Sequence, residues 1–137
     1  MTGNEAFVHA GLAAFNSDGF DAFLALVSPT ARFYPTDDFP DLEAVYEGRE
    51  AIGSAMRGWR EPWDQLRIER ETLEDDGDVV AFDVRWIGER AGAPPVDMPM
   101  GFALKIRAGE IVLITAATTA ADAREKLLRL DPDLSAH

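Results

Sequence analysis

An α+β fold with a mostly antiparallel sheet is what this sequence predicts, and three observations carry that expectation. Apolar residues recur at helical spacing near the start, in the middle and near the end of the chain. Between the helical stretches, apolar and polar residues alternate with the period of half-buried strands. The breaks are rich in Gly, Pro and Asp, which favour turns for separate reasons of backbone freedom, fixed φ and local hydrogen bonding. Read in order, the elements are ααβαββββα. Helices packed on one face of such a sheet define the class, and alternation leaves one sheet face on a core and the other partly wet.

The first helix is expected over Glu5 to Asn16, with Phe7, Val8, Gly11, Leu12, Ala14 and Phe15 on one face and His9 and Asn16 opposite. Ser17-Asp18-Gly19 breaks it. A second helix starts at Phe20, where Phe20, Phe23, Leu24 and Val27 follow i, i+3, i+4, i+7 spacing, and Pro29 ends it. Ala31 to Pro35 reads as a short strand, with Tyr34 alternating away from Phe33. The loop that follows carries Asp37, Asp38, Asp41 and Glu43. A third helix begins after Gly48, shows Ile52, Ala55, Met56 and Trp59 on one face, and stops at Pro62.

The remaining sequence reads as a meander. Strands are expected over Gln65 to Leu73, Val79 to Ile87, Val96 to Arg107 and Glu110 to Thr118, with Ala108-Gly109 as a hairpin turn. On the second of these, Val80, Phe82, Val84 and Trp86 face one way and Asp83 and Arg85 the other. On the third, Met98, Met100, Phe102, Leu104 and Ile106 oppose Asp97, Lys105 and Arg107. A last helix is expected near Ala120 to Leu130, with Thr119 suited to cap it.

Size and charge narrow the function classes. The chain has 137 residues, which suits one domain over residues 1–137 with one core. No apolar run reaches the roughly 20 residues of a membrane span, and MTGNEAFVHAGLAAF lacks a basic leader, so a cytoplasmic protein is expected. The net charge of −12 argues against nucleic acid and anionic membrane surfaces as partners. There are no cysteines and two histidines, so thiolate and multi-histidine metal sites are not expected. No phosphate loop or nucleophile elbow is present.

Four pieces in sequence resemble the SnoaL-like branch of the nuclear-transport-factor-2-like superfamily: Asp18-Gly19-Phe20-Asp21-Ala22-Phe23, Ser28-Pro29-Thr30-Ala31-Arg32-Phe33, Tyr46-Glu47-Gly48-Arg49-Glu50-Ala51-Ile52 and Ala108-Gly109-Glu110-Ile111. The resemblance implies a curved sheet wrapped around helices as a cone with one deep pocket, and pairing through the outer sheet face. It spans isomerases, cyclases, epoxide hydrolases, dehydratases and non-catalytic adaptors, so fold alone selects none of them.

The isomerase-type register places Pro35 at the catalytic base, Gly11 at the helix-one tyrosine, and Phe102 or Gly101 at the protonated acid. Without base or donors, an enolate has no stabilisation, and ketosteroid isomerisation is rejected. The epoxide-hydrolase pattern fails too: Asp83-Val84-Arg85 runs in reverse order, and Ala116 stands near the later acid. Asp83 and Arg85 read instead as cross-strand charge pairing on the outer face.

What remains is an apolar pocket. Phe33, Trp59, Trp63, Phe82, Trp86, Met98, Met100 and Phe102 are its expected walls, with Trp63 near the mouth. Aromatic and thioether groups suit a flat or ringed apolar ligand. Asp37 and Asp38 are the carboxylates whose burial over the mouth would raise their pKa toward that of a useful base, and Tyr46 is a hydrogen-bond donor there. His9 reads as exposed, and Asp97 as a solvent-facing acid at a strand start. The expectation is a small-molecule pocket with cofactor-free acid–base chemistry or simple binding. The alternative is a dimerising or adaptor domain whose outer face carries Arg67, Glu69, Glu71, Asp83 and Arg85.

Overall fold

The computed structural model describes residues 4–17, 19–36 and 45–131. Helix α1 (Glu5–Ser17) and the short α2 (Phe20–Leu24) lead into β1 (Val27–Tyr34). After β2 (Tyr46–Glu47) come α3 (Arg49–Arg60), β3 (Gln65–Arg70), β4 (Glu74–Asp75), β5 (Val79–Glu89), β6 (Val96–Arg107), β7 (Glu110–Ala117) and α4 (Ala120–Leu130). The sheet runs β2-β1-β7-β6-β5-β3, with β4 paired to β5, and curls without closing. Neighbours are antiparallel except β1 and β7, which are parallel. The architecture is therefore the predicted α+β cone.

Two sequence expectations are corrected at the start of the sheet. Val27 does not continue α2 and Pro29 does not end it; both lie inside β1. The helical spacing of Phe20, Phe23, Leu24 and Val27 is real, but all four are buried for different reasons, the last as a strand residue. Pro29 is tolerated because it falls where the β1–β7 register is irregular, between Val27 and Arg32, so no ladder bond is lost there. Strand β3 is also shorter than expected. After Arg70, the N–H groups of Glu71 and Thr72 both donate to the Asp83 carbonyl, at 2.8 and 3.5 Å, which ends regular pairing before Leu73.

The sheet faces bury two separate apolar clusters. On the inner face, Val80, Phe82, Val84 and Trp86 of β5 and Leu104 and Ile114 of β6 and β7 meet α1, α2 and α3. On the outer face, Val79, Ala81, Ala103 and Leu113 meet Ala120, Ala123 and Leu127 of α4. Alternation along each strand produces this split, since Val79 and Ala81 point away from Val80 and Phe82.

Polar contacts fasten α4 along its whole length. Thr119 caps the helix by accepting from the Asp122 N–H at 3.1 Å, and Asp83 Oδ1 accepts from the Ala120 N–H at 2.7 Å. Asp83 Oδ2 also accepts from the Thr72 hydroxyl. Midway, the Thr115 hydroxyl donates to Ala123 O at 2.6 Å. At the far end, Lys105 Nζ lies 2.7 Å from Asp131 Oδ2, with side chains only 8% and 2% exposed. Lys105 is thus not on a wet face as its alternation suggested; α4 covers it. Likewise Asp83 serves α4, while its neighbour Arg85 makes the cross-strand pair, with Asp97 at 2.7 Å.

Close backbone approach makes this docking possible. At Gly101, an added Cβ would stand 1.9 Å from the Thr119 carbonyl carbon. Elsewhere, Ala108 and Gly109 form the β6–β7 turn with φ of 52° and 79°, the two positive values that a type I′ hairpin requires.

Candidate functional site

The inner cluster is not fully packed. A hollow of about 50 Å³ lies between the helices and the sheet. Its helical wall is Phe7, Gly11, Leu12 and Phe15 of α1, Phe23 of α2 and Met56 of α3. Its sheet wall is Phe33, Ile68, Phe82, Phe102, Leu104 and Ile114. Phe7, Gly11, Leu12 and Phe102 are half-buried, so the hollow reaches the surface beside them. Among the described residues, no titratable group lines it.

The sheet wall follows from cross-strand register. Phe82 stands opposite Phe102, and Leu104 opposite Ile114, which pairs in turn with Phe33. The Phe82 and Phe102 rings stack, with centroids 5.6 Å apart. The helical wall follows from the i, i+4, i+8 row Phe7, Gly11, Phe15, with Leu12 beside it. Asn16 sets the pitch of that helix on the sheet. Its amide donates to Ile68 O at 3.0 Å and accepts from the Ile68 N–H at 2.7 Å, so it satisfies the free edge of β3 much as another strand would.

The expected pocket residues divide into three groups. Phe33, Phe82 and Phe102 line the hollow. Trp86 is 6% exposed on the same sheet face, opposite Ile68 and Met98, with its ring edge-on to Phe15 at 5.3 Å. Its indole N–H is buried and has no acceptor among the described residues. Trp59, Trp63, Met98 and Met100 are half-buried against the same cluster. Trp59 meets Phe33 at 5.4 Å and Tyr46 at 5.7 Å, both edge-on. Trp63 packs over Gly88 and under the Arg90 guanidinium.

Tyr46 joins this aromatic group from β2, opposite Phe33. Asp37 and Asp38 lie outside the described residues. Thr36, buried, and Val45, half-buried, are the described residues on either side of that segment. His9 is exposed, as its helical angle predicts, and Asp97 is exposed and paired with Arg85. Among the described residues, no group of three or more His, Asp or Glu side chains is placed to hold a metal.

Sequence reasoning left out of the wall Phe7, Leu12, Phe15, Phe23 and Met56 of the helices and Ile68, Leu104 and Ile114 of the sheet. Their signal was present, because the apolar face of the first helix included three of them. The isomerase register is also informative. Gly11 and Phe102, the positions matched to the donor tyrosine and the acid, both border the hollow. A Cβ on Gly11 would meet the Phe23 ring at 3.3 Å, so phenylalanine carbon fills the space beside that position. Pro35 is buried, and its carbonyl accepts from Lys126 Nζ at 2.7 Å.

A larger depression, about 780 Å³, lies outside between α2 and α3. Its size does not make it the better site. It is an open groove whose arginines are already engaged: Arg57 with Asp21 at 2.7 Å, and Arg49 with the Val27 carbonyl at 2.8 Å.

A cone of curled sheet over helices, with an apolar hollow on the inner face, defines a nuclear-transport-factor-2-like fold. Residues 8–114 match the SnoaL-like domain family, and the chain belongs to that family. Solved structures agree in fold. A ketosteroid-isomerase-like protein from Catenulispora acidiphila, in complex with trimethylamine, is 22% identical; the match covers 82% of this chain and 85% of that one, with a TM-score of 0.70. TerC, co-crystallised with polyporic acid, is 13% identical over 90% and 97% of the two chains, with a TM-score of 0.75. RV0760c from Mycobacterium tuberculosis, in complex with estradiol-17beta-hemisuccinate, is 15% identical over 85% and 93%, with a TM-score of 0.72. No curated protein matches the chain. No helix among the described residues is long and apolar enough to cross a membrane.

Proposed function

We propose that this SnoaL-like domain binds a small, largely apolar molecule in the inner-face hollow. The observation that carries the reading is a void in the core whose wall, among the described residues, is apolar throughout and which reaches the surface at Phe7, Leu12 and Phe102. Burial of apolar surface is the driving force such a wall offers, about 25 cal/mol for each Å² removed from water. Ring-bearing molecules bound by TerC and RV0760c, on the same fold, support the class of ligand.

At about 50 Å³ the hollow is smaller than the roughly 150 Å³ apolar cavity that admits benzene. A ring-sized ligand therefore has to widen it. The half-buried Met98 and Met100 flank the inner face, and unbranched thioether side chains re-pack at low cost.

The catalytic part of the proposal rests on residues other than the described apolar ones, because carbon walls neither take nor give a proton. Asp37 and Asp38 are assigned as the carboxylates and Tyr46 as the donor, with no cofactor. A thermal-shift screen of ring-bearing neutral compounds tests binding, with stabilisation expected as bound ligand favours the folded state. Asp37→Asn/Asp38→Asn tests chemistry on any compound the protein turns over: the expected result is retained binding with turnover lost. Absence of stabilisation by every ring compound, with the hollow collapsed in a crystal structure, contradicts the reading.

The rival reading is a dimerising domain that uses the outer sheet face. The strip that α4 leaves uncovered, with Arg67, Glu69, Arg85 and Asp97 exposed or half-buried, is its candidate surface. Light scattering at micromolar concentration decides this: a dimer is its expected outcome, and a persistent monomer removes it.

A further inference from the structure

We infer that the ligand of the inner-face hollow carries an uncharged hydrogen-bond acceptor, a carbonyl or ether oxygen, that receives the Trp86 indole N–H. This rests on the reading that the hollow binds an apolar molecule, and it narrows that molecule's chemistry. Trp86 is 6% exposed, and its Nε1 is buried without an acceptor among the described residues. Most buried donors in folded proteins are paired, so an orphan one is unusual and calls for an explanation. Tryptophan nitrogen donates only, so no rotation turns it into a harmless acceptor.

Position connects this donor to the hollow. The Trp86 ring meets Phe15 edge-on, and Trp86 is paired across the sheet with Ile68; both neighbours are in the wall. Its other cross-strand neighbour is Met98, whose half-buried side chain is among the softest in the cluster. Widening of the hollow past Phe15 and Met98 brings ligand toward the indole. A carboxylate is a poor fit, because the described residues lining the hollow include no cation and charge burial without a partner is strongly unfavourable. A neutral oxygen satisfies the donor without bringing charge into that environment.

The test uses two ring compounds of one shape, 1-tetralone and tetralin, which differ by a single carbonyl. Their affinities are measured by calorimetry for the wild type and for Trp86→Phe. The double comparison cancels the compounds' unequal solubility. The expected result is a tetralone-to-tetralin preference about five- to tenfold greater in the wild type than in Trp86→Phe, the worth of one neutral hydrogen bond. A second readout requires no variant. Of the three indole N–H resonances in the wild type, the one assigned to Trp86 shifts downfield with 1-tetralone and not with tetralin. An unchanged preference with an unmoved indole resonance overturns the inference and leaves apolar binding standing. Failure of both compounds to bind overturns the binding reading itself, and this inference with it.

Discussion

The two faces of the sheet are built on opposite plans. The outer cluster is small and finished: alanines at 81, 103, 120 and 123 let α4 sit close, and hydrogen bonds and an ion pair anchor both helix ends. The inner cluster is made from large rings and methionines and leaves a hollow. Small residues that let a helix sit close define one arrangement and little else. Large, soft residues around a void define a fold less tightly and leave room for something to enter. The difference teaches that stability and binding are divided between the faces: changes under α4 alter whether the chain folds, and changes inside alter what it holds.

That division is open to direct attack, beginning with the strongest anchor. Lys105→Met leaves the Asp131 carboxylate buried without its ammonium, and a loss of about 3–5 kcal/mol is expected in urea unfolding. Lys105→Met with Asp131→Leu recovers most of it, because two apolar groups of similar volume fill the site. Next is Gly101→Ala, whose methyl collides with the backbone at Thr119; about 3 kcal/mol is expected, with α4 displaced in proton-exchange protection. Within the inner cluster, Phe102→Ala removes a half-buried ring stacked on Phe82 and is expected to cost about 2 kcal/mol, below the usual range for a fully buried ring. It also enlarges the hollow, so the same variant is expected to bind two-ring compounds more tightly, and a stability loss with weaker binding would blur the division.

Smaller effects lie at the charged positions. Asp83→Asn keeps an oxygen near the Ala120 N–H but removes the charge from the helix start, at about 0.5–1 kcal/mol by chemical denaturation. Arg85→Ala is expected to leave the melting temperature unchanged, since its partnership with Asp97 is solvent-exposed. The hydrogen bond and charge of Asp97 raise the Arg85 pKa above the arginine value. A raised basic pKa contributes stability that is present below the unfolded-state pKa and is lost only as pH rises through the folded one. Between about pH 6 and 9 the pair therefore adds no slope to stability, and a pH-dependent difference between Arg85→Ala and wild type in that range would contradict the assignment.

Much of this was legible in the sequence, and the exceptions share a cause. Strict alternation placed β6 at its observed limits, and the helix expected near Ala120 to Leu130, capped by Thr119, is α4 as observed. Local pattern reports period and turn chemistry, both of which act over a few residues. It does not report what covers a face. Lys105 read as wet because its period put it opposite the core, and only the docking of α4 reverses that. Asn16 read as idle for the same reason, although its partner on β3 is 52 residues away. Val27 was lost to helical spacing that happened to continue into a strand. In the candidate site, Phe33, Phe82 and Phe102 of the sheet wall were legible from the sequence, while Ile68, Leu104 and Ile114 and the contribution of α1, α2 and α3 depended on how the elements come together. The indole of Trp86 was visible as an aromatic wall, never as an unpaired donor, since pairing is a property of three-dimensional neighbours.

The central claim is that the hollow on the inner face, and not the packed outer cluster, takes an apolar molecule. Methyl NMR of the labelled chain during titration with a two-ring neutral compound tests it most directly. The prediction is saturable shifts at Leu12, Met56, Ile68, Leu104 and Ile114, with Val79, Leu113 and Leu127 under α4 unmoved. Shifts centred on the α4 residues, or no saturable shift at the inner methyls, would contradict it.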